Sequence, residues 1–149
     1  MTDEERNLIA QCGTFCHVTT LDKSHAIDSG GLIPTADKSL VLRGPVRPNA
    51  VYLCPESHLD KALEFVGEKD RDQKLLIVFK VSGSTISKKD CGADYGWLSA
   101  HLNTSELDDA TIAMSLQIGG LACYELIPPV DFVDRTEVNN PRCDGTRLL

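Results

Sequence analysis

The sequence has little basic charge. Its 15 lysines and arginines stand against 22 aspartates and glutamates, which gives a formal net charge of −7. Non-specific binding to nucleic acid depends on basic side chains that displace counterions from phosphates, so this chain is a poor candidate for binding by charge alone. A nucleic acid substrate held by a local basic patch is still compatible with the composition. Arg43 and Arg47 are near enough in sequence to form such a patch.

Long apolar runs are also missing. No stretch of the chain approaches the ~20 apolar residues that a membrane-spanning helix needs. The first residues, MTDEERNLIAQ, are acidic and lack the apolar centre of a signal peptide. We therefore expect no membrane association. We expect a location in a cytoplasm, either that of the producing cell or that of a host into which the protein is delivered.

The metal-binding spacing CxxC does not occur among the 6 cysteines. Several cysteines lie in apolar runs such as VYLCP and GLACYEL, where a free thiol packs as a small hydrophobic group. A zinc site is the main chemical alternative, but the spacing of its ligands is not diagnostic. It would draw on Cys12, Cys16, His17, Cys54 and His58, with Cys91 and Cys143 as additions. A nucleophile–base pair of Cys16 with His17 is disfavoured, because adjacent strand residues point to opposite faces. We expect no bound metal.

Length and composition predict one folded domain. The chain has 149 residues, 42% of them hydrophobic, and no low-complexity run, so it can bury a core without disulfides. We expect this domain to span 1–149. Its core should lie at about 12–134, followed by a C-terminal tail at 135–149 with little to bury.

Hydrophobic periodicity predicts an order of short helices and strands. Helices are expected where caps and apolar spacing agree: 2–11, in which Thr2 and Glu5 have capping-box spacing, then 21–31 and 55–68. Strands are expected in short apolar runs: 15–20, 39–44, 50–54, 74–83, and one or two within 111–127. Residues 84–110 are expected to be irregular. This order predicts an α+β domain with a mixed or largely antiparallel sheet.

Four segments together resemble the ADP-ribosyltransferase superfamily. CHVTT followed by LDKSHAIDSGGLIP resembles its opening pattern of His-x-Thr, a short helix and Gly-Leu-x-Pro. PNAVYLC resembles its Val-Tyr-Leu strand, KLLIVFKVSG its strand ending in Val-x-Gly, and CYELIPPVDFV its last strand with Ile-Pro-Pro. The segments occur in family order over about residues 15–133. The resemblance implies a split, strongly bent sheet with an NAD cleft between its halves.

The resemblance also assigns roles to residues. His17 would hydrogen-bond a hydroxyl of the nicotinamide ribose or of the adenosine side, and Thr19 would offer its hydroxyl to the ribose. The backbone N–H and C=O of Val18 would hold the nicotinamide carboxamide. Tyr52 would stack on the nicotinamide ring, an aromatic contact worth about 0.5–1.5 kcal/mol beyond burial. Arg43 or Arg47 would meet the pyrophosphate, since Arg binds phosphate in a bidentate manner.

The third catalytic position departs from the family pattern. Many members carry a Glu on a late strand, where it binds the ribose and positions the acceptor. The candidates here are Gln117, at the expected distance before Ile-Pro-Pro, and Glu125, the nearest carboxylate. Glutamine can hydrogen-bond a ribose but cannot act as a base.

The function implied is mono-ADP-ribosyl transfer from NAD to a macromolecular acceptor, either protein or nucleic acid. Such a transferase could serve as a toxin or effector. Two alternatives stay open: a catalytically silent NAD or ADP-ribose binding module, and an RNA enzyme similar to the tRNA 2′-phosphotransferases. Loops with Arg at the position of Arg43 and Arg47 also occur in DarT-type nucleic-acid-modifying members, so nucleic acid stays among the candidate acceptors.

Overall fold

The computed structural model describes residues 1–36, 49–99 and 110–143. The helices are α1 (Asp3–Gln11), α2 (Leu21–Gly30), α3 (Leu59–Lys69), α4 (Gly83–Ile86), α5 (Tyr95–Ser99) and α6 (Ile112–Ile118). The strands are β1 (Thr14–Thr20), β2 (Val51–Pro55), β3 (Leu75–Ser82), β4 (Cys91–Gly92), β5 (Leu121–Cys123) and β6 (Phe132–Asn139). Short 3-10 turns lie at Glu56–His58 and Pro129–Asp131. The strand predicted at 39–44 lies outside the described residues.

The strands form one open sheet of six strands in the order β4-β5-β2-β1-β3-β6. Each described pair of neighbouring strands is antiparallel. The predicted α+β class is therefore confirmed. No helix in the described ranges is long and apolar enough to span a membrane.

Hydrophobic clusters cover both faces of the sheet. Phe15, Val81 and Leu53 belong to the larger cluster, and we call their side of the sheet the core face. Cys16, Cys54 and Val78 belong to the smaller cluster, against which α3 packs Leu59, Ala62 and Leu63, and we call this side the α3 face. The two faces follow from strand alternation, because successive side chains point to opposite sides.

Local signals explain where the first two helices begin and end. Thr2 and Glu5 form the predicted capping box at the start of α1. Helix α2 ends at Gly31, which has a φ of 85°. A side chain at Gly31 would collide with the backbone carbonyl of Ile127, so glycine is required there for space as well as for conformation.

The predicted strands at 111–127 are only partly correct. Residues 112–118 form helix α6, and only β5 is a strand in this segment. The hydroxyl of Thr111 accepts a hydrogen bond from the Met114 N–H at the start of α6, and Gly119 ends the helix in the left-handed conformation. The segment expected to be irregular also contains regular structure, namely α4, β4 and α5.

The predicted C-terminal tail is wrong as far as residue 143. Strand β6 pairs with β3 from Phe132 to Asn139, and both Asn140 and Cys143 are buried. The Asn140 amide donates hydrogen bonds to three backbone carbonyls, one in the last turn of α3 and two in the segment that connects α3 to β3. The prediction failed because β6 is a polar strand at the edge of the sheet. Its sequence, FVDRTEVN, has no apolar run that would indicate a strand.

Candidate functional site

The sheet divides between its two inner strands, β1 and β2. Strand β1 pairs with β3 along its whole length, from Thr14 to Thr20. Its pairing with β2 covers only Phe15↔Pro55 and Cys16↔Cys54. Beyond this point β2 continues to pair with β5 instead. We call the space between residues 17–20 of β1 and residues 51–53 of β2 the β1–β2 gap.

The backbone of Val18 is directed into this gap. Pro55 has no N–H, so the pair that exchanges two backbone hydrogen bonds between β1 and β2 is Cys16↔Cys54. Alternate residues of a strand direct their N–H and C=O to the same side. Val18 therefore directs both groups away from β3 and toward β2, at a position where the pairing with β2 has ended.

His17 connects the two strands at the gap. Its Nδ1 lies 2.9 Å from the backbone oxygen of Tyr52. Burial is the main cause that lowers the pKa of His17, and the nearby ammonium of Lys23 lowers it further, while the Tyr52 carbonyl acts in the opposite direction. The imidazole is therefore neutral at neutral pH, with its proton on Nδ1 to satisfy the Tyr52 carbonyl. In this tautomer Nε2 is a hydrogen-bond acceptor.

The side chains of Tyr52 and Thr19 lie on opposite faces of the sheet. Tyr52 is half-buried and sits opposite Ala122 of β5, on the α3 face by alternation. Thr19 is only 6% exposed and shares the core face with His17. The side chains of His17 and Tyr52 thus leave their strands on opposite faces, and a ligand that contacts both must lie within the gap.

The two candidates for the third position lie in different elements. Gln117 is exposed on helix α6 and not on a strand, so strand alternation does not relate it to Glu125. Glu125 follows β5, is exposed, and accepts a hydrogen bond from the backbone N–H of Asp90. The β5 residue directly opposite Tyr52 is Ala122, which carries no functional group.

The two predicted arginines and a metal site remain to be placed. Arg43 and Arg47, the expected pyrophosphate contacts, lie outside the described residues. Among residues 1–36, 49–99 and 110–143, no group of three His, Cys, Asp or Glu side chains is placed to hold a metal ion.

Sequence reasoning missed one feature close to the gap. Cys16 and Cys54, considered as separate packing groups or as zinc ligands with other residues, form a cross-strand pair. Each cysteine lies in a strand that the sequence predicts, but two predicted strands do not fix the register that pairs their residues.

No protein-family model matches the chain, and no curated protein matches it.

Proposed function

We propose that this protein binds NAD in the β1–β2 gap and transfers its ADP-ribosyl group to a macromolecular acceptor. One observation supports this proposal most directly. The N–H and C=O of Val18 point into the β1–β2 gap, next to the hydrogen bond between His17 and the Tyr52 carbonyl. The resemblance to ADP-ribosyltransferases gives these same residues the task of holding the nicotinamide end of NAD.

The Val18 backbone suits a primary carboxamide. A carboxamide has one oxygen that accepts and one NH₂ that donates, so it can pair with both backbone groups as a neighbouring strand would. The ring attached to it would then extend toward Tyr52, whose phenol can stack on nicotinamide. Any residue type can supply these backbone groups. Binding of nicotinamide therefore requires the strand geometry at Val18 and the aromatic side chain at Tyr52, and not a particular side chain at position 18.

The tautomer of His17 favours a ribose hydroxyl as its ligand. Because Nδ1–H donates to the Tyr52 carbonyl, Nε2 has a lone pair and no proton. A hydroxyl can donate to this atom, whereas phosphate oxygens are acceptors and would be repelled by it. We therefore assign His17 to the ribose hydroxyls and not to the pyrophosphate.

The chemical step breaks the bond between nicotinamide and ribose C1′ and forms a bond from C1′ to a nucleophile of the acceptor. Nicotinamide leaves with the bonding electron pair, and the acceptor loses a proton. Positive charge develops on the ribose in between, so fixed contacts to the carboxamide and the ribose would lower the barrier by orientation. His17 and Val18 supply such contacts in this arrangement.

A second candidate function is binding of NAD without transfer. It is favoured by Ala122, because the β5 position beside Tyr52 has no carboxylate to bind the ribose or to orient a nucleophile. An RNA 2′-phosphotransferase activity is the third alternative and depends on Arg43 and Arg47, so it is included as an arm of the test.

The test combines binding and transfer. Calorimetry would compare NAD with nicotinic acid adenine dinucleotide, whose carboxylate cannot donate to the Val18 carbonyl. We expect the acid to bind at least about tenfold more weakly, a loss of about 1.4 kcal/mol. Equal affinities, or no NAD binding, would contradict the placement at Val18.

Labelled NAD incubated with protein and nucleic acid fractions would then separate the candidate functions. Label on a macromolecule supports transfer, and binding without label supports the silent module. Removal of a 2′-phosphate from RNA in the presence of NAD would identify the third alternative. The variant Phe65→Ala is a control for general damage, because Phe65 is exposed on α3 and contacts Trp97.

A further inference from the structure

Two thiols face each other immediately before the gap. Cys16 and Cys54 are the directly paired residues of β1 and β2, and both thiols are free and buried. They form the hydrogen-bonded kind of antiparallel pair, in which the Cα atoms lie about 5.5 Å apart. This separation falls at the centre of the range of about 4.4–6.8 Å that disulfides span. The strands could therefore be bridged with little backbone movement.

An ion pair crosses the sheet beside these thiols. Lys80 of β3 is the residue paired with Cys16 on its other side. The Lys80 ammonium lies 3.1 Å from a carboxylate oxygen of Glu56, which follows the end of β2. The Lys80 side chain thus reaches across β1, past Cys16, to the residue that follows β2.

The two thiols differ in acidity. A hydrogen bond from the Cys54 thiol is the main cause that lowers the pKa of Cys16, and Lys80 also lowers it, whereas burial and Glu56 act against them. The same thiol contact and burial raise the pKa of Cys54. Of the two thiols, Cys16 is therefore the one that loses its proton more readily, and Cys54 is the partner that keeps its proton.

A second thiol pair provides an internal comparison. Cys91 and Cys123 are paired between β4 and β5, where the Tyr124 N–H donates to the Asp90 carbonyl at 2.9 Å. This bond identifies Cys91↔Cys123 as the non-hydrogen-bonded kind of pair, whose Cα atoms lie about 4.5 Å apart, at the short end of the disulfide range. In the described strands, the residue paired with Cys123 on its other side is Val51 and not a lysine. The Cys91 thiol is the main cause that lowers the pKa of Cys123, and the Lys89 ammonium lowers it further, while burial acts against them.

We propose that Cys16 and Cys54 are a site of reversible oxidation, at which hydrogen peroxide joins β1 to β2 by a disulfide. The Cys16 thiolate attacks one peroxide oxygen, the O–O bond breaks, and hydroxide leaves, which gives a sulfenic acid on Cys16. The Cys54 sulfur then attacks the Cys16 sulfur and displaces the sulfenic oxygen as water. Two thiols and one peroxide become one disulfide and two waters. A thiol reductant reduces the disulfide and restores both thiols.

This link would lie one residue before His17 and two residues after Tyr52 in their strands. It would tie together the two strands at the point where they begin to separate. The proposal concerns the thiols alone and does not depend on NAD binding.

The experiment is peptide mapping of the folded protein after exposure to hydrogen peroxide without reductant. We expect a linked peptide that joins Cys16 to Cys54, loss of two of the 6 titratable thiols, and recovery of both with dithiothreitol. Linkage of Cys91 to Cys123 in place of this pair, or overoxidised Cys16 without any link, would overturn the proposal. This mapping uses the wild-type chain, so it does not depend on whether a variant folds.

Substitutions test which cysteines form the disulfide and whether the Lys80 ammonium promotes it. Cys12→Ser is the matched control and should form the link as the wild type does, which separates Cys12 from Cys16 in the shared peptide. Cys16→Ser should form no link. Lys80→Met should slow linkage, because loss of the ammonium raises the pKa of Cys16 and leaves less thiolate, while Lys88→Met should not. A link that forms in Cys16→Ser, or at the wild-type rate in Lys80→Met, would contradict the assignment of Cys16 as the attacking thiolate.

Discussion

The Nδ1 atom of His17 lies 2.9 Å from the backbone oxygen of Tyr52. His17 is one residue beyond the last paired residue of β1, and Tyr52 is two residues beyond the last paired residue of β2. A continuous ladder would satisfy that carbonyl with a backbone N–H of β1. The imidazole supplies this hydrogen bond instead, since a carbonyl within the fold needs a partner. The side chain therefore holds two strands at a fixed separation without closing the space between them.

The two nitrogens of His17 can be tested separately. His17→Asn places an amide NH₂ near the position of Nδ1 and so keeps a donor for the Tyr52 carbonyl, but it removes the acceptor at Nε2. We expect this variant to keep the melting temperature and to bind NAD about five- to tenfold more weakly, the value of one net hydrogen bond. His17→Leu loses both groups and should also melt at a lower temperature. Wild-type NAD affinity in His17→Asn would show that Nε2 does not contact the ligand.

Stability should depend on pH through His17. Burial lowers the folded-state pKa of this imidazole, so the unfolded chain, with a pKa of about 6.5, binds the proton more tightly. The stability that the neutral imidazole contributes is therefore complete above about pH 6.5 and is lost as pH falls through the folded-state pKa. We expect urea unfolding to give a lower free energy at about pH 5 than at about pH 7.5. His17→Asn should remove most of this difference, and an unchanged pH profile in that variant would assign the effect to other groups.

The elements around the gap could be predicted because their signals are local. The capping box of Thr2 and Glu5 marked α1, and the Gly30-Gly31 pair marked the end of α2. The apolar run at 74–83 predicted β3, which pairs on both sides. His17 and Tyr52 were selected by resemblance, and the structure brings the imidazole of one to the backbone of the other.

Other features depend on contacts that no short window of sequence contains. Helix α6 has 7 residues, fewer than the about 11–18 over which a helical period can be recognised, and its run IAMSLQI is as apolar as a strand. The cap at Thr111 and the left-handed Gly119 are local signals of a helix, but a pair of glycines such as Gly119-Gly120 is equally typical of a turn between strands. The end of pairing between β1 and β2 involves residues about forty positions apart, and its only local trace is Pro55.

Tyr52 should act through its ring and not through its hydroxyl. Stacking on nicotinamide needs the aromatic face, so Tyr52→Phe should keep most of the NAD affinity while Tyr52→Ala should lose about tenfold, from lost stacking and lost contact area together. Calorimetry on both variants, with melting temperatures to confirm folding, checks this expectation. Equal affinities in Tyr52→Ala and wild type would remove the ring from the site.

Gln117 and Glu125 should differ in what their substitution changes. Gln117 is exposed on α6, so Gln117→Ala should alter neither melting temperature nor NAD binding. Glu125 accepts a hydrogen bond from the Asp90 N–H, so Glu125→Ala should loosen the contact between β4 and the residues after β5, with a loss of about 1 kcal/mol. Parallel transfer assays on both variants test for a catalytic role. Loss of transfer with NAD binding intact in Glu125→Gln would identify the missing carboxylate.

The buried Asn140 should anchor the C-terminal strand. Its Nδ2 lies 3.3 Å, 3.1 Å and 2.8 Å from the carbonyl oxygens of Gly67, in the last turn of α3, and of Asp70 and Gln73, between α3 and β3. Asn140→Ala would leave these acceptors unsatisfied, and we expect a loss of about 2–4 kcal/mol in the free energy of unfolding. Asn140→Asp has the same shape but no donor and adds a negative charge against the carbonyls, so its loss should be larger. Urea unfolding of both variants gives the comparison, and a loss below about 0.5 kcal/mol in Asn140→Ala, the level usual for surface changes, would show that 135–143 is held by strand pairing alone.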